Sequence, residues 1–88
     1  MLKLKEGFIL RSIAGQNIVI PSGDDMDLNM MITLNGTGAF LWKHLEQGAE
    51  EKELVQAILD NYDGVDQDRA QRAVTAFLTT LKEHDFLV

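Results

Sequence analysis

Apolar and polar positions along the chain follow one period in the first third and another afterwards. Phe8-Ile9-Leu10-Arg11-Ser12-Ile13 is apolar and rich in β-branched residues, and Ala14-Gly15-Gln16-Asn17 brings turn chemistry. Asn17-Ile18-Val19-Ile20 follows and is closed by Pro21-Ser22-Gly23. Two short strands around a Gly-containing turn predict a hairpin. Asp24-Asp25-Met26-Asp27 reads as a loop. The segment from Leu28 to Leu34 then alternates, with Leu28, Met30, Ile32 and Leu34 on one face and Asn29, Met31 and Thr33 on the other. That period predicts a half-buried third strand.

From Asn35 the period becomes helical. Asn35 or Thr37 caps a first helix carrying Phe40, Leu41, Trp42 and Leu45, which ends near Gly48. A second helix spans roughly Glu50 to Tyr62, with Leu54, Val55, Ile58, Leu59 and Tyr62 on one stripe. Its early Glu50, Glu51 and Glu53 suit the positive end of the helix dipole. Asp63-Gly64 stops it. Asp66 caps a third helix, with Val65 before it placed to staple onto Ala70, and the helix runs to about His84. Phe86-Leu87-Val88 forms an apolar tail. Three strands followed by three helices predict an α+β fold in a single domain spanning residues 1–88.

Composition narrows the function. A chain of 88 residues buries only about 60% of its unfolded surface, so its core has to be efficient. With no cysteine it offers no disulfide, thiolate metal site or thiol nucleophile. No apolar run approaches the roughly 18 residues that span a bilayer, so no membrane association is expected. The first residues carry Lys3, Lys5 and Glu6 where a signal peptide would be apolar, and the expected address is cytoplasmic. The net charge of −6 repels nucleic acid. Acids dominate between Asp24 and Asp68, where only Lys43 and Lys52 oppose them.

Catalytic and metal motifs fail one after another. An acyl-carrier reading needs a serine at a helix start, yet Ser12 and Ser22 fall in strand and turn context. A calcium loop around Gly64 places Leu59 and Ala70 where oxygen donors are required. His44 and His84 lie apart, without a spaced carboxylate or thiol to form a triad or metal site. Trp42 and Phe40 at helical spacing read as core. Gly36 and Gly38 match no phosphate loop. The chain reads as a protein without catalysis or cofactor.

Two features point outward. The third strand contains no Lys or Pro between Leu28 and Thr33 and includes the adaptable pair Met30-Met31. Such an edge receives an added peptide strand, or is covered by the protein's own tail or a dimer partner. On the third helix, Ala70, Val74, Phe77 and Leu81 form the core stripe at about 100° per residue. Beside it run Arg69, Ala73, Ala76 and Thr80, with Arg72 just beyond. These small side chains either leave a shallow trough for another chain, with the arginines pairing its carboxylates, or let the helix pack closely on the sheet.

The stretch Ile32-Thr33-Leu34-Asn35-Gly36-Thr37-Gly38-Ala39-Phe40-Leu41-Trp42-Lys43-His44-Leu45 resembles the PqqD family. These are small proteins of pyrroloquinoline quinone biosynthesis and their relatives, also called RiPP recognition elements. Leu34-Asn35, Gly38-Ala39, Leu41-Trp42, Leu45 and Gly48 match the family pattern. The likeness continues through Glu53-Leu54-Val55, Tyr62-Asp63, Leu81-Lys82 and Phe86-Leu87, about residues 6 to 88. It implies a winged helix-turn-helix-like fold that binds the leader segment of a ribosomally made precursor peptide. The bound leader is then delivered to a modifying enzyme, often a radical SAM enzyme.

By that resemblance the leader adds as a strand along Leu28, Asn29, Met30, Met31 and Ile32. It would lie in a groove completed by Arg69, Arg72, Ala73, Ala76 and Thr80. Apolar leader side chains would enter a trough lined by Met30, Ile32, Ala73 and Phe77, while Leu34, Trp42, Leu54 and Leu81 serve the fold. One departure is Ala49, where the family often has Thr or Ser as a helix cap, a difference of about 1 kcal/mol. Two other readings are a winged-helix DNA-binding regulator and an orphan homodimer whose third strands pair. The regulator needs a cationic helix, whereas the third helix mixes Arg69, Arg72 and Lys82 with Asp66, Asp68 and Glu83.

Overall fold

The computed structural model describes residues 1–21 and 31–88. Strands β1 (Phe8–Ile13) and β2 (Gln16–Pro21) form an antiparallel hairpin, and β3 (Ile32–Leu34) pairs antiparallel with β2. The sheet order is β1-β2-β3, which places β2 at the centre. The hairpin turn is tighter than the sequence suggested. Ile13 pairs with Gln16, so only Ala14 and Gly15 remain in the loop, both at positive φ (52° and 78°). That geometry matches the twist of the flanking strands, and it returns Gln16 and Asn17 to β2. Of the alternating segment Leu28–Leu34, the residues Leu28 to Met30 lie outside the described ones, and the strand is assigned from Ile32.

The register gives the sheet two unlike faces, because residues directly opposite each other share a face. Val19 stands between Leu10 and Ile32 on the inner face and is fully buried. Ile18 stands between Arg11 and Thr33 on the outer face.

Helices α1 (Gly36–Glu46), α2 (Glu51–Asn61) and α3 (Gln67–Glu83) follow, completing the α+β fold. The Asn35 side chain accepts from the Gly38 N–H at 2.7 Å, so Asn35 rather than Thr37 is the cap of α1. Asp66 caps α3 by accepting from the Arg69 N–H at 2.8 Å. At α2 the expectation built on Ala49 is corrected. The cap is Glu50, whose N–H donates to the Glu53 carboxylate at 3.0 Å, so no capping hydroxyl is missing. Ala49 is buried and exchanges two backbone hydrogen bonds with Leu2, at 2.8 and 3.0 Å.

The core forms where the three helices meet the inner face of the sheet, around Val19, Leu41, Trp42, Leu54, Val74 and Leu81. Phe86, from the apolar tail, is completely buried. Its ring lies edge-on to Phe8 at 4.5 Å and to Trp42 at 5.8 Å, favourable arrangements for aromatic quadrupoles. The first residues hold this tail in place. The Lys5 N–H donates to the Phe86 carbonyl at 2.8 Å, and the Val88 N–H donates to the Lys3 carbonyl at 2.9 Å. Lys5 also pairs with Asp85 at 2.7 Å across an exposed surface, which contributes little.

Candidate functional site

Two elements that the sequence singled out separately, the end of the third strand and the small-residue face of α3, line one groove. Thr33 and Leu34 of β3 form one wall, and Ala73, Ala76, Phe77 and Thr80 of α3 form the other. The start of α1 closes the end through Asn35, Thr37, Gly38 and Leu41. The enclosed space is about 350 Å³. None of these lining residues is charged.

The shape of the groove follows from residue size at helical spacing. Ala73 and Ala76 keep the α3 wall low, because alanines one turn apart project a single methyl each. Phe77 and Leu41 supply apolar floor from the core. The Thr80 hydroxyl donates to the Ala76 carbonyl at 3.1 Å, so its donor is spent within its own helix. Gly38, in the first turn of α1, packs closely against the end of β3. A Cβ there would sit 3.2 Å from the Asn35 Oδ1 and 3.3 Å from the Leu34 Cβ, disturbing the cap and the wall together.

Of the residues singled out on the third helix, Ala73, Ala76 and Thr80 line the groove. Arg69 and Arg72 are exposed one turn earlier, at the i−4 positions to Ala73 and Ala76. They continue the same helix face without lining the groove. Among the described residues neither guanidinium is in an ion pair. On the strand side, Met31 is exposed and Ile32 is half-buried against the core. Neither lines the groove, while Leu28, Asn29 and Met30 lie outside the described residues. Leu34, Trp42, Leu54 and Leu81, assigned to the fold, are all buried. Sequence reasoning missed Asn35, Thr37 and Gly38 as lining residues. The signal was present in the Asn-Gly-Thr-Gly run, where only small side chains follow the cap.

The outer edge of β3 pairs with no other strand among the described residues. Strand backbone beside a low apolar groove provides hydrogen-bonding groups and a receptacle for side chains together, the combination that strand addition uses.

A second cleft of about 380 Å³ lies between α1 and α2, bordered by His44, Glu53 and Asp60. His44 rests edge-on to Phe40 at 4.6 Å. No group of three or more His, Asp or Glu side chains suited to a metal ion occurs among the described residues. None of their helices is long and apolar enough to cross a membrane.

A family model described as coenzyme PQQ synthesis protein D (PqqD) matches residues 8–87. Among solved structures, the chain is similar to TbiB1 in complex with the TbiA(beta) leader peptide, with a TM-score of 0.76 and 24% identity. That alignment covers 97% of this chain and 93% of the other. It is also similar to lasso peptide synthetase B1 complexed with the leader peptide, with a TM-score of 0.75 and 21% identity. There the coverage is 99% and 96%. At these identities the likeness establishes the fold. Comparison with curated protein sequences gives no match.

Proposed function

The chain belongs to the PqqD family, and from that premise we propose that residues 1–88 form one non-catalytic domain that binds a leader peptide. The leader of a ribosomally synthesised precursor adds as a strand to the outer edge of the third strand. The domain then presents the precursor to a modifying enzyme, a radical SAM enzyme or one of similar role. No cofactor is needed for this, and the setting is the cytoplasm. The two solved relatives, both titled as leader-peptide complexes, support the reading. The single observation that carries it is the uncharged groove between β3 and α3, beside an edge that no described strand occupies.

In this reading the backbone of Leu28, Asn29, Met30, Met31 and Ile32 provides sequence-tolerant hydrogen bonds. Each contributes about 0.5–1.5 kcal/mol net. One or two apolar leader side chains enter the groove over Ala73, Ala76 and Phe77, adding about 1.5–3 kcal/mol each. Arg69 and Arg72 fix the register by pairing with leader carboxylates at the groove's approach. Ordering a flexible leader offsets much of this, which leaves dissociation constants on the order of a micromolar.

The test is calorimetric titration of Ala76→Glu with the leader half of a precursor encoded beside the gene. Ala76 is an exposed helix position, so the variant folds, and its carboxylate stands in the apolar groove. Affinity should fall at least about tenfold, because the larger, charged side chain occupies the place of an apolar leader side chain. Unchanged affinity would remove the groove from the site.

A further inference from the structure

The outer face of the sheet carries an apolar row that ends at the β3 edge. Residues directly opposite each other on paired strands share a face. Ile9 stands opposite Ile20 across β1 and β2, and Ile18 opposite Thr33 across β2 and β3. Continuing that register by one residue sets Met31 opposite Ile20, so Ile9, Ile20 and Met31 form one cross-strand row. Ile9 and Met31 are 38% and 39% exposed, and Ile20 is half-buried. The neighbouring outer row, Arg11, Ile18 and Thr33, ends in a hydroxyl instead. On the inner face, Leu10, Val19 and Ile32 form a row packed on the core.

On the reading that the leader adds as a strand to β3, we propose that the Met31 side chain is a second selector, taking an apolar leader residue that points away from the groove. An added strand extends each cross-strand row by one residue, whichever way it runs, and the row it joins sets the chemistry of that residue. The leader residue opposite Met31 completes the row begun by Ile9 and Ile20. An apolar side chain there covers a flexible thioether that otherwise stands in water. The residues opposite Ile32 and Leu34 turn inward, towards the core and the groove, and are apolar too. The one opposite Thr33 turns outward beside a hydroxyl and suits Thr, Ser or another polar side chain.

A definite leader class follows. Taken from Met31 to Leu34, the residues opposite read apolar, apolar, polar, apolar. The first two are adjacent in the leader and face opposite sides of the added strand. Recognition through the groove alone would need apolar residues only at alternate positions, with polar residues between them. A long or aromatic side chain suits the place opposite Met31, because a thioether packs well against a ring edge.

Selection from a display library of random peptides tests this, with the wild-type protein, Met31→Glu and Met31→Lys as baits. Met31 is exposed, so both variants fold. Peptides enriched on the wild type should share the adjacent apolar pair. Met31→Glu should replace its outward member by Lys or Arg, and Met31→Lys should replace it by Asp or Glu, with the inward residues unchanged. A wild-type-selected peptide given Lys at the outward position should bind Met31→Glu at least about fivefold more tightly than Met31→Lys. Strict apolar–polar alternation, the same peptides on all three baits, or equal affinities for the lysine peptide would overturn the proposal and leave strand addition standing. Ala76→Glu as a fourth bait reports on the groove itself and should enrich none of these peptides. Enrichment there equal to the wild type, or none on any bait, would remove the groove as the leader site and the Met31 selector with it.

Discussion

Asn35 does two jobs with one side chain. It caps α1 through the Gly38 N–H, and it closes one end of the groove. Asn35→Ala should cost about 1 kcal/mol, read as a lower urea midpoint, while Asn35→Asp keeps the cap and most of the stability. A midpoint unchanged in Asn35→Ala would show that the cap carries no weight. The cap of α1 was legible from sequence as one of Asn35 and Thr37, and that of α3 as Asp66, because these are short polar side chains just before an apolar helical run. The cap of α2 was not. Glu50 is an unusual cap residue, and its pairing with Glu53 is recognised only once the chain is known to enter the helix there. Phe86 was read as part of an apolar tail, yet it is completely buried, with its ring edge-on to Phe8 and Trp42. Phe86→Ala should cost about 3–5 kcal/mol, a large part of the total for a domain this small. A loss under about 1 kcal/mol in urea titration would contradict that packing.

At the level of elements, periodicity carried most of the information. Apolar, β-branched runs around a Gly-containing turn identified the hairpin, alternation identified the third strand, and the period near 3.6 identified the core stripe and low shoulder of α3. The two-residue hairpin loop escaped because Gln16 and Asn17 look like turn residues, while Ala14 accepts a positive φ that its composition does not advertise. The groove was half legible. Its α3 wall was readable from Ala73, Ala76 and Thr80, whereas the closing role of the α1 start depends on how closely Gly38 packs against Leu34 and Asn35. Strand addition at β3 has its own signature. N-methylation of the leader, one residue at a time, should weaken binding at alternate positions only, by about 0.5–1.5 kcal/mol for each blocked bond. A loss recurring every three or four residues would mean that the leader binds as a helix instead.

For the molecule as a whole, the organising contact joins the two ends of the described chain. Lys3 and Lys5 pair with Phe86 and Val88, which draws Phe86 under the sheet. No sequence pattern announced this, since a stretch as short as Met1 to Lys5 has no period to read and its partner lies at the far end of the chain. The charge balance was legible and bears on partners. With a net charge of −6, and with Asp68 and Glu83 at the two ends of α3 beside only three cations, random duplex DNA should produce no mobility shift even at low salt. A shift that weakens as salt rises would revive the regulator reading. The central claim is that one leader strand occupies the β3 edge and the groove together. An amide NMR titration of the labelled protein with the leader half of its precursor tests it most directly. The predicted result is a set of shifts concentrated in residues 28–35 and in Ala73 to Thr80, saturating at micromolar peptide. Shifts confined to the cleft between α1 and α2, or none at high micromolar peptide, would contradict it.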